Sequence, residues 1–323
     1  MITSAQTRLS EWGAVLSRRE TAVGLLIALT CIGASFMSPY FLTNQNLANI
    51  LIASSVELII AIGLAILLIS GGIDLSVGST IGLCSIVLAL LLNDGHSLAF
   101  ALAGSVTVGL AVGTLNGFLI AYANLNPLIT TLATMTIGRS GVYILSGGYS
   151  FSAIPEGFKA VFNSAPLLGL PNLVWLSLLM AALAAIFLQR NVWFRKFYFL
   201  GGSEVGALRA GLNTRRLKFS AYVLCGFLGS VAAIVTTARL GSAFPNTGQG
   251  LELRVITAVV IGGCSIYGGK GTIVGAILGV LLLNLINNVL VILSFSVYWQ
   301  GVAAGCVLLL AILTDIVGRR GAR

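Results

Sequence analysis

Ser70-Gly-Gly-Ile-Asp-Leu-Ser-Val-Gly78 interrupts one long apolar run, and Gly262-Gly-Cys-Ser-Ile-Tyr-Gly-Gly-Lys-Gly271 interrupts another far downstream. In both, a glycine pair and a short polar stretch break hydrophobic sequence before a glycine-spaced apolar helix resumes. Lipid offers no hydrogen bonds to free backbone N–H and C=O groups, so irregular backbone at membrane depth survives only where protein or a water-filled cavity shelters it. The two breaks therefore point to a transport pathway beside Gly71, Gly72 and Gly78 and beside Gly262, Gly263, Gly268 and Gly271.

Composition supports a membrane reading. The 323 residues are 57% hydrophobic and 8% charged, with a mean hydropathy of +1.02, where soluble domains carry roughly 25% charged residues. A span needs about 20 apolar residues. Candidate stretches fall near 21–37, 48–70, 77–92, 98–123, 127–146, 172–189, 216–238, 253–263, 271–293 and 298–317. The expected fold is all-α: one polytopic transmembrane domain over residues 1–323, with about ten helices and broken or re-entrant segments. The stretch near 253–263 is too short to cross alone and reads as half of a broken helix.

Charge orients the chain. Of the 18 basic residues, 13 lie in three places: before the first span (Arg8, Arg18, Arg19), between 190 and 218, and at the end (Arg319, Arg320, Arg323). By the positive-inside rule both termini, including residues 1–20, and the loop 190–215 face the cytoplasm. The loop 147–171, with Pro155, Pro166, Pro171 and few charges, then lies outside. The net charge of +9 does not signal nucleic acid, because the stacking aromatics and contiguous groove are missing. Cys31, Cys84, Cys225, Cys264 and Cys306 are odd in number and fall mostly in apolar segments, as small core residues do. The basic start without a cleavage-site pattern reads as an uncleaved signal-anchor.

The breaks also hint at duplication. Gly71-Gly72 leads to Gly78-Ser-Thr-Ile-Gly82, and Gly262-Gly263 leads to Gly271-Thr-Ile-Val-Gly275. Transporters often place their path between such repeats. Gly109, Gly113 and Gly117, like Gly271, Gly275 and Gly279, recur every fourth residue, which suits close packing within one chain or a dimer seam. In the basic loop, Ser203 can cap and Gly211 can end a short helix with Val205, Leu208 and Leu212 along one face.

Enzyme chemistry finds no support. His96 is the sole histidine and sits in a polar turn, so neither metal site nor proton relay is expected, and no catalytic residues are assigned. Gly268-Gly-Lys-Gly271 fails the Walker A pattern, which needs glycine at 264, where Cys264 stands, and Ser or Thr at 271. Charged residues inside spans are functional candidates because burial in lipid is costly. Glu57 and Arg139 pair across helices or line a polar path. Asp74 caps the helix that follows it or touches solute. Asn116, Asn126, Asn284, Asn287 and Asn288 donate and accept, which suits hydroxyl-rich solutes, though amides also hold helices together. The pathway candidates are thus Glu57, Asp74, Asn116, Asn126, Asn284 and Asn288.

At these residues the chain resembles bacterial ABC-importer permeases of the ribose, arabinose and xylose type, a family that also includes autoinducer-2 permeases. The resemblance is carried in order by Ser70-Gly-Gly-Ile-Asp-Leu-Ser-Val-Gly-Ser79, Asn126-Pro-Leu-Ile-Thr-Thr-Leu132, Gly138-Arg-Ser-Gly141, Gly201-Gly-Ser-Glu204 through Ala210-Gly-Leu-Asn213, Ala238-Arg-Leu-Gly241, Gly250-Leu-Glu-Leu253 through Gly262-Gly263, and Gly268-Gly269. It implies an inner-membrane permease subunit with no enzymatic activity of its own. A second permease subunit (homo- or heterodimer) completes the pathway, a cytoplasmic ATPase binds ATP and Mg, and a periplasmic binding protein delivers solute. The resemblance makes Ser203, Glu204, Val205, Gly206, Leu208, Arg209 and Gly211 the helix that couples to the ATPase. The implied cargo is a monosaccharide or similar hydroxylated solute, with autoinducer-2 as the alternative for the same type of complex. An ion-coupled secondary transporter is the rival class, with Glu57 and Asp74 as its only carboxylate candidates. One departure stands out: where the family commonly carries an acid after Glu-Leu, this chain has Arg254. It keeps the Asn287-Asn288 pair that ribose-type relatives often show.

Overall fold

A computed structural model describes residues 18–302 except 153 and 297, together with 305, 306 and 309. Most of residues 1–20 and most of the tenth apolar stretch, 298–317, lie outside the described residues. The apolar runs form α1 (Arg18–Met37), α2 (Asn44–Ile69), α3 (Val77–Asn93), α4 (Leu98–Ala121) and α5 (Pro127–Ser146). The connecting segments add α6 (Glu156–Asn163), and after α7 (Asn172–Arg190) come α8 (Val192–Gly202) and α9 (Glu204–Arg209). The chain then runs through α10 (Thr214–Leu240), α11 (Leu251–Ile261) and α12 (Ile273–Ile292). Among the described residues there is no strand beyond two isolated bridges, Phe151 with Ala243 and Leu167 with Leu170.

Seven of these helices, α1, α2, α4, α5, α7, α10 and α12, are long and apolar enough to cross a membrane. Of the three remaining stretches, 298–317 lies mostly outside the described residues, and the other two form helices too short to span. Helix α3 has 17 residues and α11 has 11, which at 1.5 Å per residue reach about 25 and 16 Å, short of a core about 30 Å thick. Both abut a glycine break.

Helix α2 is the axis of the bundle: 83% of its apolar window is buried, and α7, α10, α11 and α12 pack around it. Outside, Leu25, Leu29 and Phe36 on α1, Ile129, Ile137 and Ile144 on α5, and Leu179, Leu183 and Ile186 on α7 are exposed, as expected of surfaces wetted by lipid tails. Both glycine rows pack within the chain. A side chain on Gly113 would press on the Tyr222 carbonyl of α10, and one on Gly279 would collide with the Ala258 carbonyl of α11. Removing the side chain lets these helix backbones approach closely.

Two helices lie where the sequence suggested loop. Helix α8 follows the aromatic pattern of Trp193, Phe194 and Phe197, whose rings pack on one another and on Phe187 of α7. Its basic Arg195 and Lys196 obscure a face that buries Phe197 and Leu200. Helix α6 begins after Pro155 and buries Phe158.

Candidate functional site

Each break is a helix end made by glycine in a left-handed conformation. After α2, Gly71 takes φ 83°, and after α11, Gly263 takes φ 103°, a region that β-carbons disfavour. The first break is held by side chains. Asp74 Oδ1 accepts from the Ser76 N–H (2.8 Å) and Ser76 Oγ (2.6 Å), and Ser76 Oγ in turn accepts from Asn116 Nδ2 of α4 (2.9 Å). Tyr222 of α10 donates to the Ile73 carbonyl at 3.1 Å. Asp74, Ser76 and Asn116 are all buried, so this chain of polar groups sets the entry angle of α3.

The second break is held by backbone contacts and by one tyrosine of α8. The Gly269 N–H donates to the Ile69 carbonyl at the end of α2 (2.9 Å), and Tyr198 of α8 donates to the Gly271 carbonyl (2.8 Å). Gly201, in the last turn of α8, sits against both: a side chain there would collide with the Ile69 carbonyl and lie 2.6 Å from the Gly269 nitrogen. Gly268 in turn approaches the Cα atoms of Gly201 and Gly71. The two breaks and the basic loop therefore meet at one glycine junction. Gly262 packs against Gly275, which joins the end of α11 to α12.

Helix α9 stands on this junction. Ser203 caps it by accepting from the Gly206 N–H (3.0 Å), Gly211 follows it with φ 79°, and Glu204 pairs with Lys218 of α10 at 2.6 Å. Ala207 points inward, while Val205 and Leu208 are 58% and 55% exposed and Arg209 is exposed. Leu212 instead packs against the core, so the exposed apolar surface is narrower than the spacing predicts. A cavity of about 210 Å³ opens here, lined by Ser70, Gly71, Pro127, Gly201, Glu204 and Lys218 among others.

A second cleft, of about 310 Å³, lies beside the middle of α5 and is lined by Met135, Thr136, Arg139, Ser140, Gln249 and Glu252. Arg139 is the thirteenth residue of a 20-residue helix, so the cleft sits about 18 Å along α5, past the half-way point of a span. Arg139 does not pair with Glu57. Its Nη1 donates to the carbonyls of Pro245 (3.0 Å) and Thr247 (2.9 Å), and Nη2 to that of Gly78 (3.3 Å). The guanidinium satisfies the irregular backbone ahead of α11 and the first turn of α3. Glu252, in the first turn of α11, reaches over Gly78, where any side chain would collide with its Oε2. That buried oxygen has no hydrogen-bond partner.

The partner of Glu57 is Arg254. Arg254 Nε lies 3.1 Å from Glu57 Oε1, Arg254 Nη2 donates to Asn284 Oδ1 (3.0 Å), and Asn284 Nδ2 donates to Glu57 Oε2 (2.7 Å). The closed triad ties α2, α11 and α12 together, and Glu57 meets Arg254 because α11 packs against α2 and α12. The remaining amides have local roles. Asn126 caps α5 by accepting from the N–H groups of Leu128 (3.0 Å) and Ile129 (3.3 Å) at an exposed end. Asn288 exchanges reciprocal bonds with Asn46 of α2 (2.7 and 3.1 Å). Among the six pathway candidates, then, Glu57 and Asn284 come together, Asp74 and Asn116 come together, and Asn126 and Asn288 stand apart. Glu252 was visible only inside the Gly250-Leu-Glu-Leu253 motif. Its sequence position, at the edge of an apolar run, gave no sign that its carboxylate would lie against Gly78.

The permease family described as branched-chain amino acid transport system / permease component matches residues 46–312. The autoinducer 2 import system permease protein LsrC of Salmonella choleraesuis (strain SC-B67) is 33% identical over 302 residues, which cover 93% of this chain and 86% of that one. The ribose import permease protein RbsC of Escherichia coli (strain K12) is 36% identical over 306 residues, 93% of this chain and 94% of its own. No solved structure matches. With long apolar helices, two glycine breaks and a cleft part-way along α5, the chain is a multi-pass membrane protein that belongs to the branched-chain amino acid transport system / permease component family.

Proposed function

We propose that this chain is the permease subunit of an ATP-driven inner-membrane importer for a monosaccharide or similar small hydroxylated solute. The observation that carries the reading is the cleft at Met135, Thr136, Arg139, Ser140, Gln249 and Glu252, a hollow of about 310 Å³ that brings hydroxyl, amide and charged side chains beside the middle of an apolar helix. Family membership leaves the cargo open, since the family description names branched-chain amino acids while the two relatives are named for ribose and autoinducer 2. The exposed hydroxyls of Thr136 and Ser140 and the Gln249 amide favour a solute that donates and accepts hydrogen bonds.

In this reading residues 1–323 form one permease domain, with the termini and the loop 190–215 cytoplasmic and 147–171 outside. The cleft is open on the side of α5, and a second permease subunit closes it. Helix α9 docks on a partner ATPase, which holds the ATP and Mg, through exposed Val205, Leu208 and Arg209. A six-residue helix seated in a partner's groove moves as a rigid body. The glycine junction passes that motion to the ends of α2 and α11. A periplasmic binding protein supplies solute on the other side.

Thiol labelling tests the pathway. In a background lacking the five native cysteines, Ser140→Cys or Thr136→Cys in the reconstituted permease–ATPase complex is modified by a charged, membrane-impermeant thiol reagent, and labelling changes when ATP is added. Ile137→Cys, 70% exposed on the neighbouring outer face, resists the reagent because a thiol in lipid does not ionise. Equal resistance at all three positions, with or without ATP, would remove the cleft from the pathway.

A further inference from the structure

Helix α8 buries one face and leaves the other without a protein partner. Inward, Phe197 and Leu200 are buried, the Tyr198 hydroxyl donates to the Gly271 carbonyl and Gly201 meets the Ile69 carbonyl. Outward, Val192, Arg195 and Phe199 are exposed and Lys196 is half-buried, at the i, i+3, i+4, i+7 spacing that puts them on one stripe. Two apolar side chains thus flank two cations, and Val192 and Phe199 are 71% and 63% exposed. No carboxylate answers the charge. Residues 190–203 hold none, and among the described residues the ion pairs of Glu57, Glu156 and Glu204 go to other cations. Depth comes from α7, whose 19 residues reach about 28 Å, close to the thickness of a hydrocarbon core. Arg190 and the start of α8 therefore stand at headgroup level. The exposed row Leu179, Leu183 and Ile186 of α7 runs on into Phe187 and Trp193, both partly exposed and both stacked on Phe194. Tryptophan is a residue that membrane interfaces favour.

We propose that the outer face of α8 is a docking surface for anionic phospholipid: Arg195 and Lys196 bind the headgroup phosphate while Val192, Phe199 and Trp193 lie against the acyl chains. A zwitterionic headgroup carries its own ammonium, so the net attraction falls to headgroups with an uncompensated negative charge. Continuity with the lipid-wetted side of α7 selects lipid over an acidic protein surface, because lipid meets the cations and the apolar side chains together. The bound lipid holds the outer side of a helix whose inner side, through Tyr198 and Gly201, seats the second break. The surface lies apart from the cleft and is independent of the cargo.

Quenching of Trp193 fluorescence tests this. The chain has four tryptophans, and Trp12→Phe, Trp175→Phe and Trp299→Phe leave Trp193 as the only emitter in the purified full chain. It is placed in phosphatidylcholine bilayers containing either brominated phosphatidylglycerol or brominated phosphatidylcholine at equal mole fraction. The brominated anionic lipid is expected to quench Trp193 at the lower mole fraction. Arg195→Gln and Lys196→Gln each reduce that preference about fivefold, the scale of one cation beside an anionic surface. Arg195→Lys keeps most of it, added salt weakens it, and the melting temperature of each variant checks its fold. Equal quenching by the two lipids overturns the assignment, and so does a preference that survives both glutamine changes in a folded chain. If the double variant instead loses the partner ATPase while keeping its lipid preference, the cations serve that partner and the proposal fails. Absence of quenching by either lipid removes α8 from the membrane surface.

Discussion

The two glycine breaks share a pattern in sequence and differ in how they are held. The first, after α2, is pinned from within by Asp74, Ser76 and Asn116, all buried. The second, after α11, has left-handed glycines at 263, 268, 269 and 271 and is seated by backbone contacts to the first break and to Gly201 and by the Tyr198 hydroxyl of α8. One is a fixed corner with its own side-chain scaffold. The other takes its position from its neighbours, including the loop that carries α9. The comparison teaches that similar breaks can divide the work: a rigid wall on the α3 side and a segment on the α11 side whose placement depends on the loop.

The largest effect expected falls on the anchor of α11. Arg254→Ala leaves the Glu57 carboxylate buried without its ion-pair partner, and breaking one side of a buried pair costs about 3–5 kcal/mol. The purified chain should melt at a clearly lower temperature, and Arg254→Met combined with Glu57→Gln should recover most of the loss. If the double variant is as unstable as the single one, packing rather than charge anchors α11. Next comes the first corner. Asp74→Ala strands the Ser76 donors, at about 1–3 kcal/mol, and denaturant melts should show a shift that Asp74→Asn reduces. No shift would mean that the corner holds without its side-chain scaffold, and the contrast between the breaks would collapse. The smallest effect separates backbone strain from simple bulk. Gly263→Ala forces a β-carbon into φ 103°, a cost of about 1–2 kcal/mol. Gly24→Ala meets nothing within 4 Å and should leave the melting temperature unchanged.

Much of the architecture was legible along the chain. Span ends match the apolar runs closely: the stretch near 77–92 becomes Val77–Asn93 and that near 127–146 becomes Pro127–Ser146. Desolvation of the backbone makes continuous apolar sequence helical in lipid, and glycine or polar punctuation ends it. The short helix after Ser203 was equally plain, because a hydroxyl cap and a terminal glycine are local devices. Pairing was not legible. Nothing in sequence separation favours Arg254 over Arg139 as the partner of Glu57, since both lie far away along the chain. The choice follows from packing: α11 lies against α2, α3 and α12, which brings Arg254 to Glu57.

What the sequence determined by itself is therefore one-dimensional: an all-helical membrane chain, two breaks, a basic loop and a capped helix within it, each set by local hydropathy, backbone freedom or charge. What only the tertiary structure decided is which distant groups meet. It brought Gly71, Gly201 and Gly268 into one junction, spent Arg139 on the carbonyls of irregular backbone, and left Glu252 Oε2 buried and unpaired beside a cleft. The reason is physical: helix formation is satisfied within a few neighbouring residues, whereas a buried donor or acceptor must find whatever group packing brings within about 3 Å.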